Sequence, residues 1–82
     1  MIANSETLLL VTLPSTNRAV YSVQPQHLPR EGIPGSNEWP IMWGQQVAHE
    51  LDGIWYQSGG WTPIEDRKAV ALLERCPMGV TP

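Results

Sequence analysis

The chain has 82 residues, 41% of them hydrophobic and 16% charged, with a net charge of −3. That length holds one hydrophobic core and no second domain, and so apolar a chain is globular rather than disordered. Five basic residues against eight acidic ones argue against a nucleic-acid binder that works by neutralising phosphates.

The single cysteine, Cys76, cannot close an internal disulfide, so nothing points to a cross-linked secreted scaffold. No apolar run approaches the roughly 18 residues of a membrane span, and the first residues lack a basic start followed by an apolar stretch. No membrane partner and a cytoplasmic setting are therefore expected.

Residues 7–13 (TLLLVTL) are apolar on both faces and rich in Leu, Val and Thr, the pattern of a central strand. Pro14-Ser15-Thr16-Asn17 is a turn cluster. Residues 18–24 then alternate, with Ala19, Tyr21 and Val23 on one face, so the two strands form a β-hairpin. Residues 25–37 (PQHLPREGIPGSN) have no usable period, and their three prolines fit neither a helix nor an inner strand. They are expected to form a long loop.

The spacing predicts a helix over about 39–51, with Pro40 in its first turn and Gly53 just past its end. Its core face would carry Trp43, Gly44, Val47, Ala48 and Leu51. Its outer face would carry Trp39, Met42, Gln45, Gln46, His49 and Glu50. Residues 54–57 (IWYQ) are a short strand closed by Ser58-Gly59-Gly60. Thr62-Pro63-Ile64-Glu65 has the pattern of a capping box opening a last helix over 63–75. Its apolar face would be Ala69, Val70, Leu72, Leu73 and Cys76, followed by a short tail over 77–82. The expected fold is α+β: a single domain of order β-β-loop-α-β-α over residues 1–82, with two helices on one face of a three-stranded antiparallel sheet.

Catalytic patterns are missing where they would be expected. The His49-Glu50 pair lacks the second histidine that zinc proteases place one turn later, since that position is Gly53. His27, His49 and Cys76 are too scattered for a metal site. Cys76, on an apolar helix face near a C-terminus, has no setting that would activate a nucleophile. Gly32-Ile33-Pro34-Gly35-Ser36 lacks the lysine and glycine pattern of a phosphate loop. No enzyme, metal or cofactor is expected.

The remaining chemistry is surface recognition. All four tryptophans (Trp39, Trp43, Trp55, Trp61) lie within a 23-residue window that also holds Tyr56, and such residues are enriched at protein interfaces. Helical phase assigns Trp43 to the core, the capping box assigns Trp61 to the core or the entry of the last helix, and strand alternation leaves Trp55 balanced between core and surface. Trp39 beside Met42 on an otherwise polar face is the anomaly. The candidate partner-binding residues are Trp39, Met42, Gln46 and His49, extended by His27, Arg30 and Trp55.

Residues 31–66 contain six acids and no Lys or Arg, so Glu31, Glu50 and Asp52 are candidates to face a basic partner. The leading expectation is a non-enzymatic protein-binding module, a small inhibitor or modulator of a larger complex. A phage- or prophage-encoded anti-defence protein is one instance of that class. The alternatives are a nucleotide- or sugar-binding protein with a Trp/Tyr-lined pocket, using Gln45, Gln46, Gln57, Tyr56 and Arg30, and a structural subunit of an assembly.

Overall fold

A computed structural model describes residues 6–13, 15, 17–24 and 44–80. Strands β1 (Thr7–Thr12) and β2 (Arg18–Val23) form the expected antiparallel hairpin, with Thr7 opposite Val23 and Thr12 opposite Arg18. Gln45–Leu51 is also a strand, β3, which pairs antiparallel with β2 and with β4 (Ile54–Gln57). One helix, α1 (Asp66–Glu74), and a short strand, β5 (Met78–Val80), complete the described chain. The sheet order is β4-β3-β2-β1-β5, antiparallel throughout except that β5 runs parallel to β1.

The fold is α+β, but several expected elements differ. The segment expected to end a helix at residue 51 is extended from Gln45 onward; residues 39–43 and the 25–37 loop lie outside the described residues. The physical reason is the turn that follows. Asp52 and Gly53 both adopt positive φ, at 53° and 84°, as a two-residue hairpin loop requires. Glycine meets that demand without steric cost. The tight loop sets β3 against β4, and sheet pairing overrides the local spacing that suggested a helix.

The capping box does not form either. Thr62 is extended, its carbonyl accepting from the Gln57 N–H (2.9 Å), and Pro63 bridges Tyr56. The Ile64 N–H donates to the Trp55 carbonyl (2.9 Å). The backbone of 62–64 thus lies along the outer edge of β4, and the helix starts later, with Glu65 at its N-cap and no side-chain capping bond. Proline suits this edge position because it has no N–H to offer a ladder.

The third correction concerns the expected tail. Residues 78–80 add β5 to the free edge of β1, with Leu10 opposite Gly79. The helix therefore leads from β4 at one edge of the sheet to β5 at the other. Four strand spacings amount to about 19 Å. Nine helical residues supply about 13 Å, and the segments flanking α1 supply the rest.

Because α1 crosses only one face, the sheet has two unlike sides. On the helix side, Val20, Ala48, Trp55 and Ala69 are buried together, with Leu8, Leu10, Ile64, Leu72, Leu73 and Cys76 packed around them. Ala69, Leu72, Leu73 and Cys76 follow the three- and four-residue spacing of one helix face. Val70, expected on that face, is 55% exposed, since it lies about 100° around the helix from Ala69. On the opposite side Leu9, Val11, Ala19, Tyr21 and Val23 are buried, with Leu13 against them. No helix among the described residues is long and apolar enough to cross a membrane.

Candidate partner-binding surface

Strand alternation separates the aromatic residues of β4. Trp55 points to the helix side and is 7% exposed; Tyr56 points the other way. This resolves the balance left open for Trp55 in favour of the core. Around it, Glu50 is the cross-strand partner of Trp55, and the Arg18 guanidinium lies 5.5 Å from the Trp55 ring centroid, a cation–π distance.

Glu50 is committed inside the fold. Its Oε1 accepts from the Arg18 backbone N–H (3.1 Å) and Nε (3.5 Å), and its Oε2 accepts from the Gly53 N–H (2.9 Å). Burial pushes the carboxyl pKa up, but these N–H donors and the guanidinium outweigh it and hold the group below its ordinary value. Of the acids expected to face a basic partner, Asp52 is exposed in the turn, Glu50 serves the hairpin, and Glu31 lies outside the described residues.

On the other side of the sheet three rings meet. His49 and Tyr56 are cross-strand partners with centroids 5.6 Å apart. Trp61 stands edge-on to both, 4.9 Å from His49 and 5.2 Å from Tyr56, within the favoured range for edge-to-face pairs. The His49 Nε2–H donates to the Gly60 carbonyl (2.8 Å), because a carbonyl can only accept. That bond ties the turn after β4, where Gly59 has φ 84°, to β3. Trp61 is held on this scaffold yet is 66% exposed. It is neither core nor helix-entry packing, contrary to expectation, since Thr62–Ile64 pair with β4 before the helix begins.

Gln46 belongs to the same sheet face. It lies opposite Tyr21 and its Nε2 donates to the Tyr21 hydroxyl (3.4 Å). The predicted set is thus divided: His49 and Gln46 share a face, Trp55 lies on the reverse, and Trp39, Met42, His27 and Arg30 are outside the described residues. Trp61 and Tyr56 complete the surface. The signal for them was Asp52-Gly53, which marks a hairpin and so fixes which residues of β3 and β4 are neighbours.

A groove of about 420 Å³ opens elsewhere, where α1 ends over the start of β3. Among the described residues its apolar lining is Leu8, Val47 and Leu72 and its polar lining Glu6, Ser22, Gln45, Gln46 and Arg75, with no tryptophan or tyrosine among them. Cys76 lies close by in sequence, its thiol directed to the Leu72 carbonyl (3.6 Å). Burial raises its pKa, only partly offset by Arg75, so the thiol is a poor nucleophile. Among the described residues no three His, Cys, Asp or Glu side chains gather where they could hold a metal. In comparisons with known families, curated proteins and solved structures, the chain matches none.

Proposed function

We propose that this chain is a non-enzymatic module that acts by binding another protein through the face carrying Trp61, His49 and Tyr56. The observation that carries the reading is a tryptophan two-thirds exposed yet fixed by two aromatic neighbours. A rigid, preorganised ring loses little further freedom on binding and can bury a large area in a partner's pocket. Gln46 extends the surface with an amide, and Asp52 in the β3–β4 turn is an exposed acid suited to a basic partner. A small inhibitor or modulator of a larger complex is the kind of module this describes.

Affinity capture from the native host with the wild-type chain and a Trp61→Ala variant tests it. A protein retained by the wild type and lost by the variant, with direct binding weakened at least about tenfold, is the expected result. Equal capture by both would remove Trp61 from any interface and overturn the reading.

A further inference from the structure

The groove at the end of α1 has an electrostatic feature that the fold does not use. Among the described residues, Arg18 pairs with Glu50, and Arg67 and Lys68 both approach Glu65. Arg75 is the described cation without an ion pair, and it lines the groove. Its backbone is anchored, the N–H donating to the Leu72 carbonyl (3.1 Å). The guanidinium therefore projects from a fixed point beside the apolar side chains of Leu8, Val47 and Leu72.

A guanidinium binds a carboxylate through two parallel N–H bonds. Glu6, in the same lining, accepts from the Ser22 hydroxyl and brings a negative charge of its own. That charge disfavours multiply charged anions such as phosphate and rewards a ligand with a donor at its other end. The volume lies in the range of small-molecule sites, and the mixture of an apolar surface with a few polar groups is what such sites show.

We propose that this groove binds a small amphipathic monocarboxylate with an amine at its far end: the acid on Arg75, the chain on Leu8, Val47 and Leu72, and the amine on Glu6. Gln46 borders both surfaces, but Arg75 and Glu6 line the groove and Trp61, His49 and Tyr56 do not, so either site can fail without the other.

The probes are ε-aminocaproate, caproate and hexylamine, titrated into isotopically labelled protein and followed by the methyl signals of Leu8, Val47 and Leu72. The expected order of affinity is ε-aminocaproate, then caproate, then hexylamine. Arg75→Gln should weaken the first two at least about tenfold while leaving the spectrum of the free protein folded. Glu6→Gln should abolish the advantage of ε-aminocaproate over caproate. Absence of methyl shifts with ε-aminocaproate, unchanged affinity in Arg75→Gln, or hexylamine binding as well as caproate would each overturn the proposal.

Discussion

Trp55 and Trp61 are six residues apart, on and just after one short strand, and they meet opposite fates. Trp55 is 7% exposed beneath the helix, with Arg18 stacked over it; Trp61 is 66% exposed on the other side of the sheet, braced by His49 and Tyr56. Both rings have aromatic or cationic company, so contact alone does not separate core from surface. What separates them is their cover: α1 packs over Trp55, whereas Trp61 stands out from its sheet face with His49 and Tyr56 beside it. One tryptophan contributes to folding by leaving water, whereas the other is ordered without leaving it.

The largest effect should come from Trp55→Ala. It removes the biggest side chain from the helix-side core and leaves Arg18 without its ring, at a cost of about 3–5 kcal/mol. In a domain of this size that is a large part of the total stability. Urea unfolding measures it, and a loss below about 1 kcal/mol would erase the distinction between the two tryptophans.

Glu50→Gln should come next, at about 1–2 kcal/mol, because the partly buried Arg18 donors and the exposed Gly53 N–H lose a charged acceptor. The acid's folded pKa is lowered. Its contribution is therefore fully present above the unfolded pKa and is lost as pH falls through the folded value. The stability gap between wild type and Glu50→Gln should accordingly be constant near neutrality and close in acid. A gap independent of pH would show that the carboxylate charge does not matter to the hairpin.

Trp61→Ala should have the smallest effect on folding, about 1 kcal/mol, from the loss of two edge-to-face contacts. Thermal unfolding of this variant beside Trp55→Ala sharpens the comparison: nearly unchanged for the first, much lower for the second. A Trp61→Ala loss as large as that of Trp55→Ala would make the exposed ring a structural element and leave the proposed interface without its anchor.

Much of this was legible in the residues. Alternation in 18–24 and the apolar run before it are enough for a hairpin, and Ile54–Gln57 reads as a strand because Trp and Tyr fit a pleated surface. That Trp55 and Tyr56 face opposite ways follows from strand geometry alone. Gln45–Leu51 was obscured by a β-bulge. The register against β2 shifts between Val20 and Tyr21, so Gln46 and Ala48, two apart, fall on opposite faces. The period of two that betrays a strand is broken there, while Val47, Ala48 and Leu51 keep a helical spacing. Residues 78–80 carry too few side chains for any period, so nothing local marks them as β5.

By itself, then, the sequence determined the local conformations whose causes are local: the paired apolar strands, the short strand Ile54–Gln57, and a helix with Ala69, Leu72, Leu73 and Cys76 on one side. Only the tertiary structure decided the rest, because those choices depend on partners distant in the chain. Pairing with β4 drew Thr62 and Pro63 out of the helix, the open edge of β1 recruited β5, and the path of α1 between the two edges put Trp55 in the core, while the 62–64 pairing held Trp61 outside it.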